Sequence, residues 1–176
     1  MVSAMEAPKS EGRATWDIYA HETEWFMARR DIVYVVYING VMSDASFGRY
    51  MATLEADLCD PSRERAAVLY DVRTREAFSA SRGKAIADLL RQYQATTNAN
   101  TLAYAFASPS LAVRGALRAV FWLTPPKYPC AVVDDADEGF AFLALHAPSL
   151  DEADLAASYR GLVGDFERAH PPAAAL

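Results

Sequence analysis

Residues 65–84 read RAAVLYDVRTREAFSASRGK, and the fold turns on them. A short apolar run, Ala66–Tyr70, ends in Asp71. A polar loop follows, Arg73–Phe78, and Ser79 and Ser81 then precede a segment of helical period. In that segment Ile86, Leu89, Leu90 and Tyr93 share one face. Strand, loop and serine-capped helix in that order form the unit of a parallel sheet, with the loop at the strand's C-terminal edge.

The same step recurs on both sides. Asp31–Ile38 (DIVYVVYI) is rich in β-branched and aromatic residues. Its apolar groups occupy both faces, Ile32/Tyr34/Val36/Ile38 and Val33/Val35/Tyr37, as in a strand covered on both sides. Asn39-Gly40 ends it, and Ser43 suits the N-cap of a helix over Asp44–Leu58, stopped at Asp60-Pro61-Ser62. The helix after Ser81 is expected to run to Thr96. Thr101–Ala107 is a strand with Leu102, Tyr104 and Phe106 on one face and alanines on the other, which lets a helix come close. Ser110 caps a third helix, with Val113, Leu117, Val120 and Phe121 as its stripe, which Pro125-Pro126 stops. Cys130–Val133 is a fourth strand, and Asp134/Asp135 lead into a helix over Ala136–Leu145.

Upstream, Trp16–Met27 supplies one or two short strands, and charged Ala28–Asp31 is expected to turn. Downstream, Ser149–Glu152 reads as a capping box for a last helix carrying Leu155, Tyr159, Leu162, Val163 and Phe166. The expectation is one α/β domain over residues 14–147, with a mostly parallel sheet of four to six strands and helices packed on it. An extra C-terminal helix over 148–169 packs on that domain, and residues 1–13 and 170–176 are expected to be disordered. If the strands neighbour one another in chain order, right-handed crossovers place their helices on one face. Trp16–Met27, the final helix or a partner must then cover the other.

A net charge of −6 argues against general nucleic-acid binding, which needs a basic face. Cys59 and Cys130 lie far apart and outside metal-ligand spacing, so reduced thiols in a cytoplasmic protein are expected. The N-terminal residues show no secretion signal, and no window approaches the apolar length of a membrane span.

The run Asp31–Leu145 resembles the SpoIIAA-like, or STAS-like, domain family, named for bacterial anti-sigma-factor antagonists. DIVYVVYING and VLYDVRTREAFS carry the resemblance, together with the closing FWLTPPKYPCAVVDDADEGFAFL. In the antagonists an Asp-Ser-Ser-Gly motif opens the second helix, and a kinase phosphorylates one of its serines to break the partner complex. Here Ala80-Ser81-Arg82-Gly83 stands in its place, so an alanine replaces the aspartate and an arginine the second serine.

Each candidate site residue has two readings. Ser79 and Ser81 either cap the helix or act as phosphoacceptors or anion contacts. Arg73, Arg75, Arg82 and Lys84 form a basic cluster at a helix N-terminus, where cations oppose the dipole. They either meet an acidic partner or anion, or pair with Asp71, Glu76 or Asp88. Asp71, with Asp134 and Asp135, could gather a metal at the sheet edge or serve turns and caps. A phosphoaspartate receiver, however, wants acidic residues where Asn39-Gly40 stands. His21, His146 and His170 share no ligand or triad spacing, and nothing signals an activated nucleophile. Phe121, Trp122, Tyr128 and Phe140 suit either the core or an apolar pocket.

The function expected is a non-enzymatic regulatory module binding another protein, a regulator or kinase, through residues 71–84, with no cofactor or metal. A small anionic ligand at the same edge, a nucleotide or lipid headgroup, is the alternative. A homodimer is open to the chain through the final helix or an uncovered sheet face.

Overall fold

The computed structural model describes residues 15–60, 64–73, 79–123 and 125–171. The expected disorder of residues 1–13, most of the tail 170–176, and Arg75 and Glu76 lie outside these. Among the described residues six strands form one sheet: β1 (Asp17–His21), β2 (Trp25–Arg30), β3 (Val33–Ile38), β4 (Ala66–Val72), β5 (Thr101–Ala107) and β6 (Cys130–Val133). Their order in the sheet is their order in the chain. β1, β2 and β3 are antiparallel neighbours, and every pairing from β3 to β6 is parallel. Six helices accompany them: α1 (Asp44–Cys59), α2 (Ala80–Gln92), α3 (Gln94–Asn100), α4 (Leu111–Leu123), α5 (Ala136–His146) and α6 (Glu152–Ala169).

The charged run Ala28–Asp31, expected as a turn, is instead the end of β2. Arg29 pairs with Tyr34 and Arg30 with Val33 across the hairpin. Strand alternation explains the difference. Arg29 points to solvent, while Arg30 points inward and finds Asp154 and Ser158 on α6. The turn is the two-residue loop Asp31-Ile32, in which Asp31 takes a φ of 53°, a left-handed conformation that a short polar residue tolerates.

Two other boundaries move. The helix expected to run from Ser81 to Thr96 breaks at Tyr93, whose φ of −100° and ψ of 18° separate α2 from α3. Its hydroxyl donates to Glu55 of α1 at 3.0 Å. The last helix is capped by Asp151, which accepts from the Asp154 N–H at 3.0 Å, so Ser149 lies outside it. Asp151 stands immediately before the first helical residue, and only that position can reach the free N–H groups of the opening turn.

The steps between parallel neighbours put α1, α2 and α4 on one face, as right-handed crossovers require. There Val36, Ile38, Val68, Tyr70, Val72 and Phe106 meet Tyr50, Leu54 and Leu58 of α1, Leu89 of α2 and Val113 of α4. The chain changes sides after β6. On the other face α5 and α6 cover Val33, Val35, Tyr37, Ala67 and Leu69, along with Ala103, Ala105 and Ala107. The final helix does cover the second face, sharing the task with α5, while β1 and β2 extend the sheet. The alanine face of β5 lets α5 approach closely. A Cβ added at Gly139 would stand 2.6 Å from Leu69 Cδ1 and 3.6 Å from Ala105 Cβ.

Gly139→Val is therefore expected to lose about 1–3 kcal/mol through overpacking against the buried Leu69. Gly161 lies on the solvent side of α6, where an added Cβ meets nothing within 4 Å. Gly161→Ala should gain about 0.5–1 kcal/mol from the reduced backbone entropy of the unfolded chain. Urea unfolding of the two variants checks both signs, and equal shifts would contradict the close contact.

Candidate functional site

The C-terminal edge of the parallel strands gathers the connections that follow β3, β4, β5 and β6, the edge where open α/β sheets collect ligands. Asp71, near the end of β4, lies opposite Tyr37 of β3 in register. Its side chain faces the α6 side, and the residue is only 2% exposed. A carboxylate is tolerated there only with partners. The Tyr159 hydroxyl of α6 donates to Asp71 Oδ2 at 3.1 Å. Arg73 Nε and Nη2 donate to the same oxygen at 3.1 and 3.0 Å. The Arg73 guanidinium also lies 5.4 Å from the centre of the Tyr37 ring. The Tyr37 hydroxyl in turn donates to Glu167, which also accepts from Asn39 Nδ2 at 3.0 Å. These groups form a polar seam that fastens the ends of β3 and β4 to α6.

Burial raises the Asp71 carboxyl above its ordinary range, outweighing the lowering by Arg73 and Tyr159. Burial likewise raises the Tyr37 hydroxyl, with help from Glu167. Both groups give up a proton less readily than in water, and their oxygens are engaged within the seam.

On the other side of the sheet, Ser79 is the N-cap of α2. Its hydroxyl accepts from the Arg82 N–H at 3.4 Å and lies 2.9 Å from the Ser81 hydroxyl. Both serines are exposed. Arg82 turns toward α1, donating to the Met42 carbonyl and to Asp44 Oδ1, each at 2.7 Å. It also stacks 5.0 Å from the centre of the Phe47 ring. Lys84 pairs with Asp88, which also accepts from Arg91 at 2.9 Å. The cations adjacent in sequence are thus dispersed: Arg73 to the α6 seam, Arg82 to α1 and Lys84 along its own helix. Arg75 lies outside the described residues.

Asp134 pairs with the buried Arg114 at 3.1 Å, and Asp135 caps α5 by accepting from the Glu138 N–H at 3.0 Å. Among the described residues no group of three or more His, Cys, Asp or Glu is placed to hold a metal. His21 and His170 come within 5.7 Å, ring centre to ring centre, at the end of α6, while the His146 ring lies tilted against Phe142 at 4.7 Å. The aromatic group divides. Phe140 of α5 is buried against Tyr159, Phe121 and Tyr128 pack against Tyr104, and Trp122 faces solvent. A cavity of about 680 Å³ lies apart from this edge, between Trp16, Arg30 and α6. Ser158 lines it and already bonds both Trp16 and Arg30.

Tyr37, Asn39, Tyr159 and Glu167 are absent from the sequence-derived candidates. Tyr37 and Tyr159 sit in apolar stripes and read as core, and no local signal marks their hydroxyls.

No protein-family model matches the chain, and no curated protein matches it. Among solved structures, it is similar to an uncharacterised protein of the DUF3478 family with a SpoIIAA-like fold from Shewanella loihica PV-4. The two share 14% identity at a TM-score of 0.50, over 73% of this chain and 92% of that one. The chain has a SpoIIAA-like fold, and the likeness is one of architecture.

The raised Asp71 carboxyl has a consequence for stability. The folded state holds this proton more tightly than the unfolded chain, so the group's contribution is fully present below the unfolded value of about 3.9. It is lost as pH rises through the folded value. Asp71→Asn keeps an acceptor for Tyr159 and Arg73 and removes that loss. Urea midpoints of the variant relative to the native chain should rise as the pH climbs from about 4. Parallel curves would show that Asp71 titrates as an ordinary carboxylate.

Proposed function

We propose that the chain is a non-enzymatic SpoIIAA-like regulatory module of a bacterial signalling system. It binds a partner protein through the rim over residues 71–84, centred on the N-terminus of α2. Val41, in the connection after β3, carries this reading. It is 56% exposed and directly precedes Met42, whose carbonyl receives Arg82. Through the Arg82–Met42 bond the connection carrying Val41 meets the start of α2, whose Ser79–Ser81 hydroxyl pair is exposed. An aliphatic side chain with hydroxyls is the mixed apolar and polar composition of a protein contact. Arg82 and Lys84 are already bonded to Asp44 and Asp88, which supports this over an anion pocket. Ser81 and Ser79 are the phosphoacceptor candidates. A phosphoryl group on either would meet the free N–H groups and positive end of a 13-residue helix. It would also add charge to the partner surface.

The test is affinity purification of the native chain, of Val41→Asp and of Ser79→Asp/Ser81→Asp from cells that make the protein. Mass spectrometry would report the partner and any phosphate. Each variant is expected to recover about tenfold less of the specific partner, as for a truncated hot spot. Unchanged recovery would remove the rim from the interface. A rise in melting temperature with a nucleotide or an anionic phospholipid headgroup, without partner recovery, would favour the ligand reading instead.

A further inference from the structure

At the C-terminal end of α6, two histidines far apart in the chain come together. The sheet brings the first. His21 closes β1 and lies directly opposite Phe26 of β2, which in turn lies opposite Tyr37 of β3. Direct partners in antiparallel strands share a face, so His21 points to the side that α6 covers. The helix brings the second. His170 is the C-cap of α6, and the Phe166 carbonyl accepts from both its backbone N–H at 2.9 Å and its ring Nδ1 at 3.2 Å. The Phe166 ring seats both imidazoles, its centre 4.5 Å from that of His170 and 6.5 Å from that of His21. The two imidazole centres stand 5.7 Å apart with the rings tilted by 53°. His21 is exposed and His170 half-buried.

The geometry points to a metal site: His21 and His170 hold one divalent transition-metal ion of the zinc class, with water completing its coordination. A carbonyl can only accept, so Nδ1 of His170 carries the proton in its bond to Phe166. The neutral ring then has its lone pair on Nε2, the arrangement in which a contact to one nitrogen orients the other toward a metal. Two imidazoles bound through nitrogen at about 2.0–2.1 Å to one tetrahedral ion set their ring centres about 5 Å apart. The 5.7 Å separation is close to that, and His21, exposed at the end of an edge strand, has room to close it by side-chain rotation. The ion would also sit at the negative end of an 18-residue helix. The carboxylates nearest along the chain are engaged elsewhere: Glu22 pairs with Arg49, and Glu167 accepts from Tyr37 and Asn39. Imidazole ligands without a carboxylate select zinc, nickel or copper over magnesium and calcium, which prefer oxygen. Two protein ligands with open positions make an exchangeable site, one that ties the end of α6 to the edge strand β1 when filled.

Calorimetric titration of the metal-stripped full chain with zinc chloride tests this, at about pH 7.5, where imidazoles are mostly neutral. One ion per chain is expected, with a melting temperature that climbs as free zinc rises. Magnesium chloride should give neither. His21→Gln and His170→Gln should each weaken zinc binding about tenfold or more, while His146→Gln, at the histidine of α5, leaves it unchanged. NMR of isotopically labelled imidazoles should place zinc on Nε2 of His170 with Nδ1 still protonated. Absence of saturable binding would overturn the proposal, as would unchanged affinity in His21→Gln or in His170→Gln. Zinc found on Nδ1 of His170 would overturn it as well. So would an equal loss in His146→Gln, which would show the ion sampling histidines indiscriminately.

Discussion

Apolar side chains on both faces of β3, β4 and β5 oblige the sheet to be covered twice, and the rest of the architecture follows. Crossovers between chain-order neighbours can supply helices to one face only. The second cover comes from the end of the chain, where α5 and α6 lie against Val35, Leu69 and the alanines of β5. Each large side chain enclosed this way contributes about 1.5–3 kcal/mol. α5 reaches its place because Gly139 and Ala105 leave no bulk between helix and strand.

An apolar interface alone would let α6 slide along the sheet. Two sets of polar contacts, spread along the helix from Asp154 to Glu167, oppose this: Arg30 with Asp154 and Ser158, and Asp71 and Tyr37 with Tyr159 and Glu167. Buried charged groups without partners cost several kcal/mol, so a shift of α6 by one turn would take Asp154 and Ser158 from Arg30 and the Tyr159 hydroxyl from Asp71. The seam contributes register more than net stability, and it accounts for a carboxylate held 2% exposed at the edge of a sheet.

Arg82, in the first turn of α2, has a local task. Its guanidinium ties the start of α2 to the start of α1 through Met42, Asp44 and Phe47. A cation at a helix N-terminus is unfavourable by about 0.3–1 kcal/mol, and the three contacts offset it. Ser79 keeps the capping role, and the neighbouring Ser81 hydroxyl stays exposed.

The sequence by itself determined the α/β order and the SpoIIAA-like architecture. Strands Thr101–Ala107 and Cys130–Val133 could be read to their ends, because two-fold and 3.6-fold periods and caps are local properties of the chain. It did not reveal that Arg29 and Arg30 belong to a strand, since the partner that makes a buried Arg30 tolerable lies on α6, far along the chain. Nor did it show the destinations of Arg73, Arg82 and Lys84, which adjacent letters suggest as one cluster and the fold sends to three places. Which side chains meet depends on distances across the packed layers. Only the tertiary structure decides those, because hydrogen bonds and ion pairs are made over a few ångströms and carry no periodic trace in the sequence.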